Sequence, residues 1–167
     1  MNNVADTARL TGILEPGNSA APMQFVISHS NGDADFKAGF RPNSLYRDLG
    51  VEAATNGMVL AHVVRAANAF PAEGVGGPHR HLVQFQFCYM LKGWQTMRFE
   101  GEDEIVTARA GSAWIQPPGI VHEVLGFSED REILELILPA RYETVEAEYP
   151  EADRTPRHAI DSHRSET

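Results

Sequence analysis

From Met58 to Leu138 the chain alternates short apolar runs with turn signals. The runs are Met58–Ala66 (MVLAHVVRA), Leu82–Leu91 (LVQFQFCYML), Trp94–Glu100 (WQTMRFE), Glu104–Ala108 (EIVTA), Ser112–Gln116 (SAWIQ), Ile120–Phe127 (IVHEVLGF) and Arg131–Leu138 (REILELIL). Lys92-Gly93, Gly101-Glu102-Asp103, Ala110-Gly111, Pro117-Pro118-Gly119 and Ser128 to Asp130 divide them. Runs of this length between Gly, Pro and Asp clusters predict β-strands. No segment between them has a helical period. The pattern therefore predicts an all-β antiparallel sandwich or barrel rather than βαβ units.

The flanks read differently. Residues 1 to about 22 are small and polar and predict an arm. Met23–Ser28 (MQFVIS) predicts a short strand, Asn31–Asp35 (NGDAD) a turn, and Ser44–Leu49 one helical turn closed by Gly50. Beyond Leu138 the chain becomes acidic and then mixed and polar, which predicts a short helix over Tyr142–Glu148 and an extended or disordered end. The expected division is an N-terminal arm over 1–57, a barrel over 58–140 and a polar C-terminal tail over 141–167. No internal repeat is visible, so one barrel is expected.

Composition narrows the partners. The chain has 167 residues, a net charge of −9 and scattered basic residues. An acidic chain repels phosphate backbones, which argues against nucleic acid as a partner. No run of roughly 18 apolar residues suits a membrane span, and no basic segment followed by an apolar run marks a leader peptide. The single cysteine, Cys88, excludes an intrachain disulfide and fits a cytoplasmic location.

Candidate chemistry lies in the histidines. His158 and His163 lie in the polar tail, His29 near a turn, and His62 alone within a strand-like run, where it reads as a sheet residue. His79-Arg80-His81 is different. Positions i and i+2 of an extended chain share a face, so two imidazoles from one strand can reach one ion. Pro78 and the glycines before it shape the entry to this pair. His122 follows the rigid Pro117-Pro118-Gly119 turn and offers a third imidazole from a distant strand, as an open metal site requires.

These residues carry a resemblance. His79-x-His81, four residues, Gln86, six residues and Gly93 form one segment. Gly111, five residues, Pro117-x-Gly119, two residues and His122 form the other. Together they resemble the two signature motifs of the cupin superfamily, over roughly Met58 to Leu138. The resemblance implies a double-stranded β-helix, or jelly-roll barrel, with one divalent metal held by His79, His81, His122 and the residue at Gln86. It implies Fe(II) first, with Zn, Ni, Mn and Cu as other occupants, and a homodimer to which Met23–Ser28 adds a strand. Three positions depart from the pattern. Glu73 stands where a glycine usually opens the first motif, with Gly74, Gly76 and Gly77 nearby to supply the turn. Gly126 stands where an asparagine closes the second. Gln86 stands where the family has a glutamate ligand.

Glutamine changes the charge of the site. It offers a neutral carbonyl oxygen, so His79, His81, Gln86 and His122 leave the full charge of a divalent ion uncompensated. An anionic or chelating organic substrate would balance it. Gln86 alternatively stands behind the ligands as a hydrogen-bonding orienter. Strand parity places Cys88 and Met90 on the face of Gln86, and Met97, Phe99 and Trp114 are further candidates for the substrate pocket. The expected activity is that of a metal-dependent, dioxygenase-like oxidoreductase. A metal-dependent isomerase or lyase and a non-catalytic small-molecule sensor are the alternatives. No catalytic acid or base stands out beside the ligands.

Overall fold

The structure is a computed structural model that describes residues 22–68, 70, 76–102 and 104–150. The first residues of the arm, Gly74 and the tail beyond Pro150 lie outside the described residues. In chain order the strands are β1 (Lys37–Ala38), β2 (Ser44–Asp48), β3 (Leu60–Ala66), β4 (His79–His81), β5 (Phe85–Lys92), β6 (Trp94–Phe99), β7 (Val106–Arg109), β8 (Ala113–Ile115), β9 (His122–Phe127), β10 (Glu132–Leu138) and β11 (Thr144–Glu146). One helical turn, α1 (Val51–Ala54), and a 3-10 turn over Gly32–Asp35 complete the described elements. Among the described residues no helix is long and apolar enough to cross a membrane.

The strands form two antiparallel sheets, one ordered β1-β2-β3-β10-β5-β8 and the other β11-β4-β9-β6-β7. All seven runs predicted between Met58 and Leu138 supply strands, the run that starts at Leu82 beginning its strand at Phe85. The fold is a jelly-roll barrel, as the periodicity and the motifs predict. Alternation explains the burial. On β5, Gln86, Cys88 and Met90 are buried, whereas Phe85, Tyr89 and Leu91 face outward. Cys88, Met90, Met97, Phe99, Ala108 and Ile133 pack as a core drawn from both sheets.

Three local expectations are corrected. Ser44–Asp48 is a strand, not a helical turn, because its residues pair in register with β3 from Ser44↔Ala66 to Asp48↔His62. Gly50, with φ at +75°, stands at the start of α1 rather than at the end of a helix. The segment expected as a helix over Tyr142–Glu148 contains β11, which pairs with β4 through Thr144↔His81 and Glu146↔His79. In both cases strand pairing supplies backbone partners that an isolated helical turn lacks. Met23–Ser28 forms no strand. Its Gln24 N–H donates to Ala54 C=O, and Met23, Phe25 and Ile27 are exposed. Segments assigned to an arm and a tail thus complete both sheets.

Gly93 makes the tight turn between β5 and β6 with φ at +70°, and a Cβ there would run into Ser128 Oγ and the Arg131 backbone. Gly93→Ala is therefore expected to lower the unfolding free energy by about 2 kcal/mol or more. Urea denaturation of the two proteins measures this, and an unchanged midpoint would contradict the turn assignment.

Candidate metal centre

β4 carries His79 and His81 on one face, and Arg80 between them points the other way, as the period of two requires. β9 begins with His122, which pairs directly with His79. Gly119 N–H donates to His81 C=O, so the Pro117-Pro118-Gly119 turn is tied to the first ligand strand. The three histidines are buried, at 9%, 7% and 4% exposure. One nitrogen from each lies within 4.8 Å of the other two.

The other ring nitrogens decide which atoms converge. His79 Nδ1–H donates to Gly77 C=O at 3.0 Å, and His122 Nδ1–H donates to Ile120 C=O at 3.2 Å. His81 Nδ1–H donates to Gln86 Oε1 at 2.8 Å. All three rings thereby carry their lone pair on Nε2 and turn it towards a common point, which is the tautomer that ligation needs. Desolvation by burial, followed by the Arg41 charge, lowers the His79 pKa to about 4. Burial, then the charges of His79 and His81, lowers that of His122 to about 3. His81 is also lowered, again mainly by burial. The rings are therefore neutral at pH 7, and the donor set fits a divalent ion.

Gln86 is set against His81, and its Oε1 also accepts from Gln116 Nε2 at 3.1 Å. Gln116 Nε2 lies 3.0 Å from His122 Nε2. The Gln86 oxygen is engaged by the N–H of an imidazole, which is the orienting arrangement rather than the ligating one.

The site opens into a cavity of about 470 Å³ between the sheets. Cys88, Met97 and Trp114 line it together with His81 and His122. Met90 and Phe99 do not. Met90 is fully buried one step further along β5, in the core. Phe99 stacks against the His122 ring with centroids 6.0 Å apart and so backs a candidate ligand instead of facing substrate. Burial, with the Glu135 charge second, pushes the Cys88 thiol pKa up, which suits a core residue and not a nucleophile.

Further polar groups face this cavity without having stood out in the sequence: Arg41, His62, Gln116, Arg131 and Glu135. His62 Nε2 and Glu135 Oε2 are 2.9 Å apart, on residues directly paired between β3 and β10. Burial raises the Glu135 pKa, but the hydrogen bond and charge of His62 together with the charges of Arg41 and His81 outweigh it, so the net direction is down. Tyr46 stands beside His62 with ring centroids 5.3 Å apart. Arg131 donates to Gln95 Oε1 and Ser44 Oγ, both at 2.8 Å. Glu135 did carry a signal: it shares strand parity with Ile133 and Ile137, both buried, so a carboxylate falls on an apolar face.

Solved structures share this architecture. KdgF from Halomonas sp. matches with a TM-score of 0.53 and 23% identity, over 71% of this chain and 94% of that one. The polyketide cyclase RemF from Streptomyces resistomycificus matches with a TM-score of 0.56 and 16% identity, over 76% and 90% of the two chains. These neighbours are cupins. The chain has the cupin fold. The oxalate decarboxylase of Lactobacillus farciminis, solved with formate, matches at a TM-score of 0.51 and 15% identity, over 67% of this chain and 33% of that one. No protein-family model and no curated protein matches the sequence.

The depressed histidines make the metal-free chain sensitive to acid. Below about pH 6.5 the unfolded chain takes up protons that the folded site refuses, so stability falls as pH drops towards 4. Each histidine contributes at most about 1.4 kcal/mol per pH unit in that window, and nothing above it. Urea midpoints at pH 7.5 and 5.5 check this: the midpoint should fall at 5.5, and less so in a His79→Gln/His122→Gln double variant. Equal slopes in the two proteins would count against it.

Proposed function

We propose that this cupin is a metal-dependent enzyme acting on a small organic anion that chelates through carbonyl or carboxylate oxygens. The observation that carries the reading is a reversal of charge. The chain is −9 overall, yet among the described residues its cavity is lined by the guanidinium groups of Arg41 and Arg131 against one carboxylate, Glu135, while Arg141 at the rim is exposed and paired with Glu52. His79, His81 and His122 would hold the ion, and Gln86 would orient His81. None of these brings negative charge, so a divalent ion would deepen the demand for an anion. A bound ion would supply Lewis-acid polarisation of a substrate carbonyl.

The chain's own residues then favour one reaction class. His62 and Glu135 are hydrogen-bonded at 2.9 Å on the cavity wall, where the pair can take a proton from a substrate carbon and return it elsewhere. That supports isomerase or lyase chemistry. The neighbours described above include a cyclase and a decarboxylase by name, in keeping with it. The second reading is a dioxygenase-like oxidoreductase using Fe(II). It is favoured by the neutral three-imidazole set, which leaves several positions open around the ion. Zn, Ni, Mn and Cu suit the same donors.

Metal analysis of the purified protein comes first. The metal-loaded protein is then offered 2-oxo acids, β-diketones, catechols and hydroxybenzoates. Solvent deuterium incorporation is read without air and oxygen uptake with it. Deuterium incorporation that falls by about 10²- to 10⁴-fold in His62→Gln is the expected result. Oxygen uptake without exchange would move the assignment to the oxidoreductase. Failure to bind any metal would remove both.

A homodimer belongs to the same reading, as does a cytoplasmic location for a chain whose one thiol, Cys88, is free and buried. Phe85, Tyr89 and Leu91 of β5 and Ile115 of β8 are each more than a third exposed on the outer face of one sheet. A second copy would cover this apolar face. Light scattering should give a dimeric mass for the wild type and a monomeric mass for Tyr89→Asp. A monomeric wild type would refute the interface.

A further inference from the structure

The guanidinium of Arg41 sits on the metal-facing edge of the histidines. Its Nη2 lies 2.6 Å from His79 Nε2 and 3.4 Å from His81 Nε2. Both rings donate through Nδ1, so their Nε2 atoms accept from the guanidinium. A metal ion would stand roughly 2.0–2.2 Å from those same atoms. Ion and guanidinium compete for the same lone pairs and repel each other as like charges. They cannot be seated together.

The surroundings of Arg41 are those of a group able to leave. It lies in the short connection between β1 and β2, at the edge of its sheet, and both residues of β1 are exposed. Phe40 beside it is 74% exposed. No described carboxylate lies within ion-pair distance of Arg41, and Glu135, which feels its charge from the same cavity lining, is hydrogen-bonded to His62. Arg41 is thus a half-buried cation whose side-chain partners are neutral imidazoles. A carboxylate would satisfy it better, through two parallel charge-assisted hydrogen bonds.

We propose that Arg41 is a plug in the metal seat that a substrate carboxylate draws away, so that carboxylate and metal bind cooperatively. The proposal rests on the metal-site reading and deepens it, because it specifies a carboxylate as the anion and assigns its partner. Swinging from the histidines to the carboxylate frees the Nε2 atoms and fixes the orientation of the substrate in one movement. Arg41 is in these terms a positioning and specificity residue, and its effect appears in binding even where no turnover occurs.

The test is a Co(II) titration of the metal-free full chain, followed by visible absorption, with and without pyruvate as the carboxylate probe. Wild type, Arg41→Gln and Arg41→Lys are compared, with thermal unfolding as a check on the fold. Arg41→Gln should bind Co(II) about tenfold more tightly than wild type when pyruvate is absent. Pyruvate should tighten Co(II) binding in the wild type, and this enhancement should shrink several-fold in Arg41→Gln. Arg41→Lys keeps a cation without the planar fork. It should lose most of the pyruvate effect without the full gain in Co(II) affinity. Equal Co(II) affinity in wild type and Arg41→Gln, or an equal pyruvate enhancement in both, would overturn the plug. No Co(II) uptake by any of the three proteins would instead overturn the metal reading beneath it.

Discussion

At the centre of the barrel three imidazole N–H groups are given to three carbonyl oxygens, those of Gly77, Ile120 and the Gln86 side chain. The chemistry of the cavity depends on this commitment. A histidine with both nitrogens uncommitted can rotate or change tautomer, and three such rings would present a varying set of donors and acceptors. Once each Nδ1–H is engaged, each Nε2 is a lone pair of fixed direction. Two of these carbonyls, those of Gly77 and Ile120, come from the connections that lead into β4 and β9, so the glycines and prolines that shape the chain there also set the electronic state of two of the rings.

This arrangement accounts for the glutamine. A carboxylate at position 86 would offset part of a metal's charge and compete to ligate it. The amide instead joins two jobs, accepting from His81 and from Gln116. Its cost is electrostatic, since the site carries no negative charge of its own. The remainder of the cavity compounds the imbalance, because among the described residues its lining sets the guanidinium groups of Arg41 and Arg131 against the single carboxylate of Glu135. Charge separation of this kind concentrates one sign of potential in a confined, poorly screened space, where it acts most strongly on a small anion.

Much of this was legible in the order of residues. The seven apolar runs and their turns predict the barrel because a period of two and a glycine or proline break are local properties. The two histidine segments are legible for the same reason, since spacing along a strand converts directly into a shared face. Ser44–Asp48 was misread because five residues hold too little periodicity to outweigh pairing with a strand on the far side of α1. Arg41, His62 and Glu135 were not assembled in advance because nothing local joins them. His62 and Glu135 meet only through the register of β3 with β10. Arg41 reaches His79 across a connection whose path the sequence does not state. Local patterns find ligands that lie two apart, and they miss partners that are brought together by topology.

The place of β4 in its sheet has one more consequence. It is three residues long and lies between β9 and β11, both of which come later in the chain. While the polypeptide is being synthesised, the strand bearing two of the three histidines has neither neighbour to pair with. The first arrives with His122 and the second only with Thr144–Glu146. During synthesis the centre can therefore be completed only after residues 144–146 have emerged. An ion met by the nascent chain would find two imidazoles without their third partner, so any selection among metals would wait until the barrel has closed.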